Sequence, residues 1–323
     1  MDKSAYITSV EEIPGQRQSN LFMPAIAYIL LPCGGGLEPM IGWQFESVMT
    51  ILSLGEILWD VFPDSVRLGG APFNFAVHAH RLGHRVFFMS AVGDDEQGQV
   101  ALSRAGSLGL STQFIQVAPG TATGSVSVEL SAEGHPDFTI HRPAAYDRLT
   151  LDDALLQRLV DLRPEWVYFG TLFAMDASAR QALYRVLEAL PAARRFYDVN
   201  LRRDNYTAPL VRELLALADA VKVNDDEAKL FPDLGEAPSV AITRGERGCT
   251  VRIGADRADC PAYPIKIADT VGAGDAFAAA FLHGLANGWS ASRTGDYANR
   301  LGGLIASRAG AVPQWSPSEL DVV

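Results

Sequence analysis

The stretch Ala268-Asp269-Thr270-Val271-Gly272-Ala273-Gly274-Asp275-Ala276-Phe277 holds the residues best suited to chemistry in this sequence. Two glycines lead into 276–286, a strongly helical run with Phe277, Phe281 and Leu285 on one face. Glycines let a ligand lie against the backbone, and amides at a helix start, backed by the macrodipole, favour negative charge. A phosphate that gains charge during its transfer is the group such a turn can hold. Asp275, in the first helical turn, then has two readings. It either complements the dipole as a helix-start carboxylate, or takes a proton from a hydroxyl attacking the phosphate. Turn and helix alone do not choose between them.

From residue 49 on, apolar runs alternate with helical patterns that would position this turn. Strand-like runs occupy 51–56, 85–93, 165–170, 193–199, 220–224 and 240–243, and helical patterns fill 72–82, 152–162, 177–190 and 208–218. Such alternation requires crossover connections, hence an α/β fold with a mostly parallel central sheet and helices on both faces. Polar residues just past each strand then lie at the carboxyl edge, where open α/β sheets bind ligands. The segment 121–142 breaks the rhythm with two alternating runs around a Gly/Pro turn, the pattern of an antiparallel hairpin. With 59–68 it is expected to form a small β-sheet lid over the site, drawing on segments near 59–70 and 121–145. Residues 1–48 sustain no period and are interrupted by Gly34-Gly35-Gly36. The expectation is a domain over 49–323, with 1–48 a disordered extension or a start-site artefact and Met49 the true start.

Composition excludes several classes. The 323 residues are 48% hydrophobic, 20% charged and 9% aromatic, ordinary values for a globular protein. The net charge of −11, from 38 acidic against 27 basic residues, repels phosphate backbones and anionic lipids. Neither nucleic acid nor a membrane surface is therefore expected as partner. Cys33, Cys249 and Cys260 form no CxxC pair, which suits a cytoplasmic location better than a disulfide framework or a zinc site. The apolar stretch 24–33 has about half the length a membrane span needs and no preceding basic region, so a signal peptide is not expected. His78, His80 and His84 do not share a helix face and are not read as a metal site.

The segment 268–277 resembles the C-terminal signature of the ribokinase-like (PfkB) carbohydrate kinases, which reads close to DTxGAGD. Leu68-Gly69-Gly70-Ala71-Pro72-Phe73-Asn74 is similar to the family's GGxxxN sugar element, and Val92-Gly93-Asp94-Asp95 with Gly98 to its N-terminal signature. Asp198-Val199-Asn200-Leu201-Arg202 resembles the DxNxR strand end, Asn224-Asp225-Asp226-Glu227 the NxxE motif, and Thr243-Arg244-Gly245 with Gly248 the TxGxxG nucleotide turn. The six elements run in family order from about residue 51 to Pro313. The rival phosphate loop GxxxxGK[ST] and a dinucleotide GxGxxG after the first strand do not occur.

The resemblance implies a ribokinase-like fold and transfer of the ATP γ-phosphoryl group to a sugar hydroxyl, with Mg²⁺. It makes Asp275 the base and gives Gly272, Ala273 and Gly274 the amides that hold the phosphoryl. Asp60, Gly69, Gly70 and Asn74 become sugar contacts, and Arg142 an arginine brought in from the lid hairpin, against the alternative of a surface arginine. Asn224 and Glu227 would position Mg²⁺ or its waters, with a solvated helix-start acid as the alternative for Glu227. Thr243, Arg244, Gly245 and Gly248 fall on the nucleotide side. Asn299 matches a position near the adenine, or is a helical surface residue. Arg202 would neutralise phosphate charge, and Asp198 would support its loop through hydrogen bonds. Asp269 and neighbouring carbonyls would bind K⁺. Lid sheets in this family often pair between subunits, so a homodimer through the lid is expected.

The run Gly55-Glu56-Ile57-Leu58-Trp59-Asp60-Val61-Phe62-Pro63, followed by Gly69-Gly70-Ala71-Pro72, is most similar to bacterial fructokinases. Ribokinases carry Lys where this chain has Ala71. D-fructose therefore ranks first, with ketodeoxygluconate and ribose behind. Trp59 and Phe73 either line the sugar's apolar face or belong to the core. Val199 stands where these kinases often have Pro, which alters backbone stiffness only. The rival from another class is a non-catalytic sugar- or nucleotide-sensing relative.

Overall fold

The computed structural model describes residues 47–130, 136–202 and 205–321. All but the last two residues of the 1–48 segment, together with Cys33, lie outside that range. The chain begins with β1 (Thr50–Leu54), β2 (Leu58–Val61), β3 (Val66–Gly69), α1 (Ala71–Arg81), β4 (Arg85–Gly93), α2 (Glu96–Ser107) and β5 (Ile115–Ala118). The hairpin β6 (Gly124–Leu130) and β7 (Pro136–His141) follows, then α3 (Asp153–Asp161), β8 (Trp166–Gly170), α4 (Thr171–Ala174), α5 (Ala177–Ala189) and β9 (Arg194–Asp198). The remainder is α6 (Ala208–Leu217), β10 (Ala220–Asn224), α7 (Asp225–Leu230), β11 (Ser239–Thr243), β12 (Cys249–Ile253), β13 (Asp256–Cys260), α8 (Ala273–Ala286) and α9 (Ala291–Ala306).

Nine strands form the main sheet in the order β13-β12-β11-β10-β9-β8-β1-β4-β5. Every pairing from β11 to β5 is parallel, while β12 and β13 add an antiparallel edge. That edge was not anticipated, because its strands are five residues each with polar or charged residues interspersed. The signal present was a two-residue connection whose first member, Gly254, has φ 58°, the positive value a tight hairpin turn requires. Cys249 and Cys260 face each other across this ladder as free, buried thiols.

Successive residues of a strand point to opposite faces, and the core divides accordingly. Ile51, Phe88, Tyr168 and Phe196 pack with Phe73, Phe75, Phe277 and Phe281 of α1 and α8. Leu52, Phe87, Val167, Phe169 and Tyr197 pack with Leu183, Val186, Leu210 and Leu214 of α5 and α6. Strands buried on both sides must be apolar almost throughout, which is why their runs stand out in the sequence. Phe75 stacks on Tyr168 with ring centroids 3.7 Å apart, and Phe196 meets both Tyr168 and Phe281 edge-on. Burying each such ring contributes on the order of 2 kcal/mol, and together they seat α1 and α8 side by side. His78 is held in this layer, accepting from the Trp315 indole at 3.0 Å and contacting the Ala311 carbonyl at 2.9 Å. His84 lies 3.1 Å from His283 of α8.

A second, four-stranded sheet has the order β3-β2-β6-β7. It contains the two segments expected to form the lid. Leu58, Asp60, Val126 and Ile140 from this sheet line the cleft that opens at the carboxyl ends of β1, β9 and β10. No helix among the described residues is long and apolar enough to cross a membrane.

Candidate active site

The cleft between the two sheets has a volume of about 510 Å³. Its floor is the Gly272 turn and the first turn of α8. Gly272 has φ +80°, and a Cβ there would lie 2.5 Å from the Ala311 backbone, so both conformation and space require glycine. This left-handed residue turns the chain into α8, and Gly272, Gly274 and Asp275 all line the cleft wall at the helix start.

Asp275 is buried, and its Oδ2 accepts a hydrogen bond from Asn74 Nδ2 at 2.8 Å. Burial pushes its carboxyl up, while the ammonium of Lys222 opposes that shift. Asn74 sits one turn into α1, which starts at Gly70 with φ +109°. A Cβ on Gly70 would come within 2.5 Å of the Glu56 carbonyl oxygen, so the glycine lets α1 begin directly against the strand-end residue Glu56. Asn74 Oδ1 and Glu56 Oε2 are buried without a hydrogen-bond partner in a cleft whose lining includes both residues. Two such atoms in one cleft leave hydrogen-bonding capacity open to whatever fills it.

Three acids thus line one cavity. Burial pushes Glu56 up to about 7 and Asp60 up to about 6, with Arg202 pulling both back. A carboxyl whose folded pKa is raised stabilises the fold fully below its ordinary value of 4.5, and that stability is lost as pH rises through about 7. Glu56→Gln should therefore be more stable than the parent at pH 8, by up to about 3 kcal/mol, with the difference shrinking toward pH 5. Thermal melts at both pH values check this, and a pH-independent difference contradicts it.

Two cations balance the acids. Arg202 lines the cleft, its guanidinium donating to Asn200 Oδ1 at 2.6 Å. Lys222, in the middle of β10, is buried and donates to both oxygens of Asp198 at 3.1 and 3.3 Å. Its Nζ would lie 3.2 Å from a Cβ on Gly274, immediately beside the helix start. Asp198 also accepts from the Tyr168 hydroxyl at 2.9 Å. It is therefore the buried counter-charge of Lys222 more than a loop support. Lys222 and Glu56 were both missed in the sequence, although Lys222 interrupts an apolar strand and Glu56 follows one, where a charged residue is unusual.

Of the residues singled out in the sequence, Asp60, Gly70, Asn74, Gly272, Gly274 and Asp275 come together in the cleft, and Ala273 lies between two of them. Gly69 stays outside the lining, packed against the Asp60 carboxylate. Arg142 also departs from expectation. Its guanidinium is taken by the buried carboxylate of Asp147 and by the Leu172 carbonyl at 3.0 Å, and it lies outside the cleft lining. Trp59 donates to the Gln97 carbonyl, and Phe73 packs edge-on against Phe88, so both belong to the core.

Glu227 is buried rather than solvated. Asn224 Oδ1 accepts from the amides of Asp226 and Glu227, while Glu227 accepts from the amides of Asn224 and Leu201. This reciprocal capping box fixes the start of α7 to the loop carrying Arg202. Thr243 donates to the Val223 carbonyl, and Arg244 pairs with Thr250 and Asp259. Gly245 and Gly248 make the turn between β11 and β12. Asn299 donates to the carbonyls of Cys260 and Pro261, tying α9 to the end of β13 instead of standing free on the surface. These residues lie outside the cleft lining.

Asp269, expected to bind K⁺, has its charge taken otherwise. Its Oδ2 accepts from Arg67 at 2.6 Å and from the Gly310 amide at 3.0 Å, and its Oδ1 accepts from the Val271 amide at 3.0 Å.

Comparison with known proteins places this geometry. Residues 55–318 match the pfkB family carbohydrate kinase family. An uncharacterized sugar kinase of Pyrococcus horikoshii is 30% identical over 295 residues, covering 84% of this chain and 93% of that protein. Its crystal structure in complex with ATP superposes with a TM-score of 0.75 over 83% of this chain and 96% of that one. A fructokinase of Klebsiella pneumoniae is 30% identical over 263 residues, covering 72% of this chain and 83% of the enzyme. A double mutant of Vibrio cholerae fructokinase with fructose, ADP and a potassium ion bound has a TM-score of 0.72 at 22% identity, over 86% and 99% of the chains. At that identity it shares the fold alone.

Proposed function

The chain belongs to the pfkB family of carbohydrate kinases, and we propose that it transfers the γ-phosphoryl group of ATP to a hydroxyl of D-fructose with Asp275 as the base. The observation that carries this reading is the buried Asp275 carboxylate, held by Asn74 at 2.8 Å in the first turn of a helix whose start, from Gly272 to Asp275, forms one wall of the cleft. A base and an anion-holding turn on one wall is what phosphoryl transfer to an alcohol needs, since positioning and charge neutralisation supply most of the catalysis.

The sugar would lie against Gly70, with Asp60, Glu56 and Asn74 Oδ1 meeting its hydroxyls; the partnerless oxygens of Glu56 and Asn74 support this placement. Asp275 accepts the proton of the attacking hydroxyl as the new O–P bond forms and the bond to the β-phosphate breaks. Amides from Gly272 to Gly274 hold the transferred group, and Lys222 and Arg202 offset its charge. Gly69 shapes the site by packing on Asp60. Fructose ranks first on the Glu56–Pro63 run and on the fructokinase among the relatives.

ATP would enter along the β11–β12 turn that carries Thr243, Arg244, Gly245 and Gly248, beside Asn299 of α9. Mg²⁺, when bound with ATP, neutralises phosphate charge. Asn224 and Glu227 spend their oxygens on backbone amides. They fit a hydrated ion met through its waters, using remaining lone pairs, and not a directly ligated one.

The test is ATP-dependent ADP release over fructose, ribose, ketodeoxygluconate, tagatose and adenosine. The expected result is the highest kcat/KM for fructose. Preference for another sugar keeps the kinase chemistry and overturns the substrate, while silence across the panel with ATP still bound favours a sensing protein.

A further inference from the structure

The family resemblance leads one to look for a monovalent cation at Asp269, and the residues here do not fit one. Resting on the kinase reading above, we propose that this chain supplies the cation itself. The guanidinium of Arg67, on the lid strand β3, neutralises Asp269 and ties the lid to the anion-holding turn, so that no monovalent metal ion is needed there.

The geometry is specific. Arg67 Nη1 donates to Asp269 Oδ2 at 2.6 Å across 202 residues of sequence. The Gly310 amide donates to the same oxygen, and the Val271 amide, one residue before Gly272, donates to the other. Both carboxylate oxygens therefore already accept from N–H donors, and one of those donors is the charged Arg67 guanidinium. A second cation at this carboxylate would meet the guanidinium at short range, where like charges repel strongly. The Asp269 side chain is 17% exposed and that of Arg67 41%, so the carboxylate is the more shielded end of the pair.

Arg67 is placed by two further contacts. Its guanidinium lies 4.9 Å from the centre of the Phe62 ring, and Phe62 lines the cleft. In the β2–β3 ladder Arg67 stands opposite Asp60, which lines the cleft as well. One arginine thus joins the lid's sugar-facing strand to the loop whose next residues are Thr270, Val271 and Gly272. It lies outside the cleft lining and acts by positioning the turn.

The test compares potassium chloride with tetramethylammonium chloride at equal ionic strength on the full chain, reading thermal midpoint without substrates and kinase kinetics with them. The parent protein is expected to show the same midpoint in both salts and kcat values within about twofold. Arg67→Ala is expected to lose about tenfold or more in kcat in tetramethylammonium, with KM for ATP moved by less than about threefold. Arg67→Lys is expected to restore most of the loss, and potassium to raise the midpoint of Arg67→Ala alone. A saturable potassium-specific stabilisation or activation of the parent overturns the proposal, as does an Arg67→Ala enzyme with the parent's kcat in tetramethylammonium. Absence of turnover with every sugar counts against the kinase reading only, and the thermal midpoints still decide the role of Arg67.

Discussion

Replacing Asp275 by asparagine should lower kcat on the order of 10²–10⁴-fold, the contribution of a positioned general base, while the protein still folds and binds ATP. The side chain is buried at the start of α8 and accepts one hydrogen bond, from Asn74 Nδ2. An asparagine oxygen at the same place still accepts that bond, so α1 and α8 stay joined. Removing the negative charge also relieves a desolvation cost, because burial holds the Asp275 carboxyl above its ordinary value. The variant should therefore melt no lower than the parent. What is lost is the ability to take the proton of the attacking hydroxyl. Steady-state kinetics together with a melting curve separate the two, and a variant that keeps more than about a tenth of the parent's kcat would show that Asp275 only caps its helix.

The second large effect belongs to Lys222. Its ammonium is buried, bonds both oxygens of Asp198 and stands beside Gly274. Lys222→Met should destabilise the fold by about 3–5 kcal/mol, the usual cost of leaving one charge of a buried pair uncompensated. It should also lower kcat, because the same ammonium opposes the upward shift of Asp275 and offsets charge at the turn. The double variant Lys222→Met, Asp198→Asn separates the roles. Removing both charges should recover most of the lost stability, whereas kcat should stay at least about tenfold below the parent. Recovery of rate along with stability would make the pair purely structural.

Legibility in the sequence followed the physics of each element. Strands β4, β8, β9 and β10 are buried on both faces, so their apolar runs could be read almost to the residue. The edge strands β12 and β13 are five residues each with polar or charged residues interspersed, so only the short Gly254 connection between them marked a hairpin. The Gly272 turn was legible because a left-handed, closely packed residue must be glycine, and a helix-start acid follows at Asp275. Other site properties depend on contacts between distant segments. Whether Glu227 is solvated or locked in a capping box, and whether Arg142 reaches the cleft or the Asp147 carboxylate, turns on packing that spacing does not encode. Arg67 is the sharpest case. Its motif neighbours Gly69 and Gly70 drew attention to the sugar, while its own partner lies 202 residues away at Asp269.

The central claim is that the cleft between the two sheets transfers phosphoryl groups to a sugar with Asp275 as base. The most direct measurement is ³¹P NMR of the protein with ATP, Mg²⁺ and fructose, run beside Asp275→Asn. A new phosphomonoester resonance from fructose phosphate should grow as ADP appears in equal amount, and should be all but absent in the variant over the same period. ADP appearing with inorganic phosphate alone, or the ester forming equally fast in both proteins, would contradict the account.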